Sequence, residues 1–297
     1  MKLNSLRVKF LAGFLTLFLG SFIVFFAVSY YLSSQALYRD ADAISEGIGR
    51  STALEVEKVY QGKALAIEGL AHNQAIINGD RATRIQALNA AKSRLGGFAM
   101  LAYSDLNGQA YSESGKDMDR ASRDYIKAVR ETKKPFMTGP SVSGTSGKLI
   151  TIIAYPVLEN GTLTGIVYGT IELDDISEMV GNIKYMETGR VYIADQEGLV
   201  LAYAQQPDDV GQMDLSKETS NKTIDKALVE GYKKAIQEDR QISTEYKTSS
   251  GEESQAVMTP IHLGSRTWLA VSVAPLTEIR SGASSLVKVM GLVGLVM

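Results

Sequence analysis

The sequence predicts an α+β protein. A long N-terminal helix carries two tandem modules with antiparallel sheets, and membrane-spanning segments flank them. Three observations predict this. An uncharged run from Phe10 to Leu32 follows Lys2, Arg7 and Lys9. From Ser33 to Asn78 there is no proline, and apolar residues fall at helical spacing. Beyond Arg94 the pattern turns to short apolar runs punctuated by glycine turns, and this pattern occurs twice.

Composition narrows the function classes. The 297 residues are 45% hydrophobic and 22% charged, ordinary for a folded core. A net charge of −2 argues against a nucleic-acid partner. With no cysteine, disulfides, thiolate metal sites and cysteine nucleophiles are excluded. Two histidines, His72 and His262, leave little for a zinc centre or a histidine-based triad. No serine, lysine or carboxylate constellation reads as catalytic, so the expectation is a binding protein with no cofactor or metal.

Residues 1–9 form a basic cytoplasmic end, and 10–32 form a first transmembrane helix. At ~1.5 Å per residue these 23 residues span roughly 34 Å, enough for a bilayer core of about 30 Å. The basic flank belongs inside, and Tyr30 and Tyr31 suit the far interface. A cleaved signal peptide has a shorter apolar region of about 7–15 residues, so the run reads as an uncleaved anchor. Residues 33–80 read as a stalk helix with Ile44, Ile48, Val56, Val59, Tyr60, Ile67 and Leu70 on one face and a stop at Asn78-Gly79-Asp80.

Residues 81–183 form the first module. A helix spans about 82–94, and strands at 98–103 and 109–112 flank the turn Asp105–Gly108. A helix follows at Asp124–Thr132, then strands at 148–158 and 162–173 around Asn160-Gly161, a strong hairpin signal. A helix at 174–183 leads to the second module, 184–276. It has strands at 190–194 and 199–203, a helix at 224–238, and strands at 241–246, 253–261 and 267–273. Asp105-Leu-Asn-Gly and Asp195-Gln-Glu-Gly resemble fragments of calcium loops, but the distant bidentate acid is missing and hairpin turns explain both. Trp268 reads as core. Residues 277–297 read as a linker and the start of a second transmembrane helix. They end in an apolar run from Val289 that is too short to cross a membrane.

The repeat is internal. Met100–Tyr111 parallels Val191–Tyr203, each a strand, a polar turn ending in glycine and a strand ending in tyrosine. The hairpins 148–173 and 253–273 correspond as well. Four of the 31 bases lie outside 33–280, which leaves 27 against all 33 acids, a mildly acidic ectodomain.

In order along the chain come Arg123-Asp124-Tyr125-Ile126-Lys127-Ala128, Lys134–Pro140, Thr145-Ser146-Gly147-Lys148 and Ile153-Ala154-Tyr155-Pro156-Val157. This series resembles the double-Cache sensor domain of bacterial methyl-accepting chemotaxis proteins, over nearly the whole chain. The resemblance implies two PAS-like (Cache) modules, the first distal to the membrane and binding a small ligand. It also implies a homodimer through the long helix, and a multi-pass protein of the bacterial inner membrane with its ectodomain outside. The implied function is chemotactic sensing passed to a cytoplasmic region beyond Met297. The same sensor on a histidine kinase or a cyclic-dinucleotide enzyme is the alternative.

Arginine is a bidentate fork for a carboxylate. By resemblance Arg123 and Tyr125 hold the ligand's carboxylate. Where amino-acid-binding relatives place a second aromatic, a tyrosine and acid, and an ammonium-binding aspartate, this chain has Ile126, Ser141 and Ser143, and Thr170. The expected pocket is therefore Arg123, Tyr125, Ser141, Ser143, Thr151 and Thr170. Its expected ligand is a small polar carboxylate, amino or organic acid, with one lacking an amine favoured.

Overall fold

An apolar run that continues into an amphipathic one gives a single helix. In the computed structural model, which describes residues 6–183, 185–216, 224–279 and 281, helix α1 (Leu6–Ala71) runs unbroken for 66 residues, roughly 100 Å. Its segment Lys9–Ser33 has a mean hydropathy of 2.4 and buries nothing against the rest of the chain. Beyond it, Ser45, Thr52, Val56, Tyr60, Ile67 and Leu70 form a buried stripe at spacings close to the helical period. The helix stops earlier than the sequence pattern suggests. Asn73 takes an extended backbone, and its side-chain oxygen accepts from Ala75 N at 2.9 Å, which caps a separate turn, α2 (Gln74–Ile77). Asp80 caps α3 (Arg81–Leu95) in the same way, accepting from Thr83 N at 2.8 Å.

The first sheet comprises β1 (Met100–Ser104), β2 (Gln109–Ser112), β3 (Asp117–Asp119), β4 (Phe136–Met137), β5 (Ser141–Val142), β6 (Leu149–Glu159) and β7 (Thr162–Glu172). Its order is β3-β2-β1-β7-β6-β4, with β5 also on β6, and every pairing is antiparallel. Helix α4 (Asp124–Thr132) lies between β3 and β4 in the chain. Strands β3, β4 and β5 were not expected, because two or three residues are too few to show a period. Helix α5 (Asp174–Gly181) leads to the second sheet, β8 (Arg190–Ala194), β9 (Val200–Ala202), β10 (Ile242–Lys247), β11 (Glu253–Leu263) and β12 (Arg266–Pro275). Its order is β10-β11-β12-β8-β9, with α6 (Lys226–Glu238) inserted between β9 and β10.

The repeat extends to single atoms. Asp105 Oδ1 accepts from Asn107 N (2.9 Å) and Gln109 N (2.8 Å), and Asp195 Oδ1 accepts from Glu197 N (3.1 Å) and Leu199 N (2.8 Å). These are two copies of one Asx turn, which explains both calcium-like fragments.

One face of each sheet packs on α1, and the opposite faces carry α4 and α6. The α1 core is continuous across both modules. Val56, Tyr60, Ile67 and Leu70 share it with Ile153, Val167 and Ile171 of the first sheet and Ile193, Ile261 and Trp268 of the second. Trp268, fully buried, meets the edge of Tyr60 at 5.1 Å. At Gly169 a Cβ would lie 2.7 Å from both Ile67 and Phe98, so glycine lets the helix approach the sheet.

Near the apolar end, polar contacts take over. The Ser45 and Tyr185 hydroxyls are hydrogen-bonded, Gln255 Nε2 donates to Asp42 Oδ1 at 2.6 Å, and His262 N donates to Glu57 Oε1 at 2.7 Å. Just past β12, Glu278 accepts from Glu187 N (3.1 Å), Thr188 N (3.2 Å) and the Thr188 hydroxyl. These bonds hold its carboxyl below the ordinary range despite some desolvation. The expected second transmembrane helix lies outside the described residues.

Burial in its turn pushes the Asp195 carboxyl up to about 6, with Glu197 adding to the shift and backbone N–H groups opposing it. Because the folded value lies above the unfolded one, the associated stability is present at low pH and is lost as pH rises from about 4 through about 6. Asp195→Asn keeps both accepted hydrogen bonds and removes the charge. Its advantage over the parent in thermal melts should be near zero at pH 4 and about 1–2 kcal/mol at pH 7.5, after allowance for solvent screening. A pH-independent difference would contradict this.

Candidate functional site

Strand alternation determines which side chains can meet. On the sheet face away from α1, Tyr168 of β7 lies between Ala102 and Ala154, and Thr170 lies between Met100 and Ile152. The alanines leave room above the sheet, and the first turn of α4 fills it. Tyr125 is buried against Tyr168 with ring centroids 5.0 Å apart, and Ile126 and Val129 pack beside it. Arg123 is the N-cap residue of α4, extended (φ −75°, ψ 137°), and its side chain makes no capping bond and is exposed. It therefore sits at the rim, with Tyr125 as the floor.

Of the six expected residues, the structure brings Arg123, Tyr125 and Thr170 to this face of the sheet. Ser141 pairs with Ile150, which places it on the same face but at an exposed edge. Ser143 is engaged in its own turn, where its Oγ accepts from Thr145 N at 3.3 Å and Ser146 N at 3.2 Å. Thr151 is on the other face. Its hydroxyl donates to Thr138 O at 2.9 Å, and it pairs with Ile171, which packs in the α1 core. A two-residue hairpin at Asn160-Gly161 continued in simple register would pair Thr151 with Thr170. The register instead shifts between Val157 and Leu158, where one extra residue, Thr164, enters β7, and Thr170 pairs with Ile152.

Sequence reasoning missed two residues. Tyr168 stands two positions before Thr170 on the same face, a place that strand alternation alone could have flagged. Arg120 lies one turn before Arg123, whose N donates to Arg120 O at 2.9 Å. The Thr170 hydroxyl is buried with no hydrogen-bond partner, and the buried Tyr168 hydroxyl lies beside Arg120 and the Tyr125 hydroxyl, which interact with its oxygen. Burial raises the Tyr125 and Tyr168 phenols above their ordinary value, while Arg120 and Arg123 pull both back. Both remain neutral donors at neutral pH. The face thus offers two guanidinium groups, the Tyr168 phenol and the unsatisfied Thr170 hydroxyl, a set that complements an anion.

A cavity of about 430 Å³ opens elsewhere, between the two modules, lined by Leu149, Asp174, Ser177, Tyr203, Pro207 and Gln212 among others. It has no arginine in its lining.

Comparison with known proteins agrees with this architecture. A family model described as a Cache domain matches residues 33–283. The methyl-accepting chemotaxis protein PscA of Pseudomonas syringae pv. tomato is 21% identical over 187 residues, 62% of this chain and 30% of that protein. The chain therefore spans about a third of the length of that curated relative. The ligand-binding domain of the Pseudomonas fluorescens chemoreceptor CtaA, solved with L-isoleucine, superposes with a TM-score of 0.65 at 20% identity, covering 86% of this chain and 98% of that one. The extracellular domain of mmHK1S-Z2, described as a histidine kinase, gives a TM-score of 0.66 at 16% identity, covering 80% and 98%. With two like modules on one helix and a family match over most of its length, the chain belongs to the Cache-domain family.

Proposed function

We propose that the chain is the sensing half of a transmembrane chemoreceptor. It binds a small carboxylate in the first module and passes the event through the second module to the membrane. The single observation that carries this reading is the α4 face of the first sheet, where Arg120 and Arg123 precede α4 beside Tyr168 and the buried, unpartnered Thr170 hydroxyl. CtaA, with the same fold, was solved with an amino acid bound, and PscA is a methyl-accepting chemotaxis protein. The domain acts by binding, with no chemistry of its own.

In this reading residues 10–32 anchor the chain in the bacterial inner membrane, and 33–280 lie outside the cytoplasm. Residues 81–183 form the membrane-distal module and 184–276 the proximal one. The packing order supports that assignment. Residues of α1 nearest the apolar segment, such as Asp42 and Glu57, bond to the second sheet, while Ile67 packs on the first. The fold likeness to mmHK1S-Z2 favours one second reading, the same sensor coupled to a histidine kinase. The output module of the intact protein distinguishes them. A long heptad-rich helix indicates a chemoreceptor and a nucleotide-binding module a kinase.

Two outcomes follow. Arg123→Ala should abolish ligand-induced stabilisation in thermal-shift screens against amino and organic acids, a loss of at least about tenfold in affinity. It should leave the unliganded melting temperature within a degree or two, because Arg123 makes no side-chain hydrogen bond or ion pair among the described residues. Undiminished binding would place the site elsewhere.

The outward face of α1 presents Ile44, Leu54 and Leu65 at 54%, 59% and 65% exposure, beside Gly47, Gly62 and Gly69, which have open space around them. This is the face proposed to pair two copies. Since the chain has no cysteine, Leu54→Cys introduces a single thiol. It should form intermolecular disulfides in membranes much faster than Glu131→Cys on exposed α4. Equal rates would argue against the pairing.

A further inference from the structure

The α4 face of the first sheet carries unbalanced positive charge. Arg120 and Arg123 stand in one turn, and among the described residues neither forms an ion pair. Arg120 Nη2 lies 3.1 Å from the Met118 thioether, a weak acceptor, and the guanidinium also meets the Tyr168 hydroxyl oxygen, which still leaves donors free. Met118 pairs with Ala110 and packs against the same cluster as Tyr125 and Tyr168, so Arg120 is held against this face and not swept into solvent.

No carboxylate on the neighbouring elements answers these cations. On β3, Asp117 and Asp119 flank Met118 and alternate to the other face. Asp117 pairs with Arg81 at 2.7 Å, and Asp119 accepts from Ala121 N at 3.0 Å. Asp105 is engaged in its Asx turn, and Glu172 pairs with Lys148 at 2.8 Å. Asp124 and Glu131 on α4 are exposed, while Tyr125, Ile126 and Val129 are the helix's buried residues. A ligand ammonium brought here would meet guanidinium groups with no compensating charge, an unfavourable burial.

We propose that the ligand is an amine-free dicarboxylate. One carboxylate is held by Arg123 and the other by Arg120, and the Tyr168 and Thr170 hydroxyls donate to its oxygens. This rests on the reading of the first module as the binding site and adds Arg120 and Thr170 as the residues that set selectivity. Two guanidinium groups match two carboxylates by charge, the Thr170 hydroxyl gains the acceptor it lacks in the free protein, and the Tyr168 hydroxyl, whose oxygen already meets Arg120 and Tyr125, has its own proton to donate.

Matched probes test it. L-malate and L-aspartate differ only in hydroxyl against ammonium, and L-lactate lacks the second carboxylate. Calorimetric titration of the full chain in detergent should give malate at least about tenfold tighter than aspartate. Arg120→Gln should weaken malate about tenfold or more while changing lactate less than about threefold. Thr170→Asp, which places a carboxylate on the sheet face, should reverse the preference toward aspartate.

Aspartate binding as tightly as malate, or an equal effect of Arg120→Gln on malate and lactate, overturns the proposal. So does the absence of malate binding. The underlying reading fails separately. If Arg123→Ala leaves binding of every probe intact, the site lies elsewhere, whereas an amine preference that still needs Arg123 overturns only the dicarboxylate.

Discussion

The inward stripe of α1, from Ser45 to Ala71, is the surface on which both sheets close. Each buried aliphatic on it, such as Val56, Ile67 and Leu70, contributes roughly 1.5–3 kcal/mol by leaving water. The stripe is shared. Ile67 faces β7 at Gly169, while Tyr60 meets Trp268 of the second sheet. Neither module has a complete core without the helix, so the two modules are tied to one rigid rod. A densely packed interface of this kind shifts between discrete arrangements and does not deform smoothly.

In the proposed reading this organisation separates recognition from transmission. The face of the first sheet that packs on α1 is apolar and filled, and the opposite face carries the arginines, Tyr168 and the unpartnered Thr170 hydroxyl. Toward the apolar segment the stripe changes character, with Ser45, Asp42 and Glu57 in hydrogen bonds to Tyr185, Gln255 and the His262 backbone. The loop that holds Tyr185 also donates to Glu278, on the segment that leaves the last strand. Incoming and outgoing segments therefore meet at one short loop, in which Met186 takes a positive φ of 53°. A ligand can bias such an arrangement only by the difference in its affinity for the two states.

Much of the fold was legible in the sequence because its main elements are long and periodic. The β6–β7 hairpin follows from β-branched runs around Asn160-Gly161, where φ is 50° and 80°. Helix α4 matches its expected range, 124–132. What was not legible depended on single side chains. Asn73 competes with the helix for backbone donors and ends α1 at Ala71. One extra residue in β7 reverses the face of Thr151, because a one-residue slip moves a side chain through the sheet. Arg123 and Tyr125 were candidates from residue type and the resemblance, and the structure places both at the α4 face. Tyr168 and Arg120 acquire meaning only once the sheet and the turn place them together.

A crystal structure of the chain with its tightest-binding small acid tests the central claim most directly. The account predicts a carboxylate within about 3 Å of the Arg123 guanidinium, above the sheet face that bears Tyr168 and Thr170. The acid seated instead between the modules, among Asp174, Ser177 and Tyr203, with the α4 face empty, would contradict it.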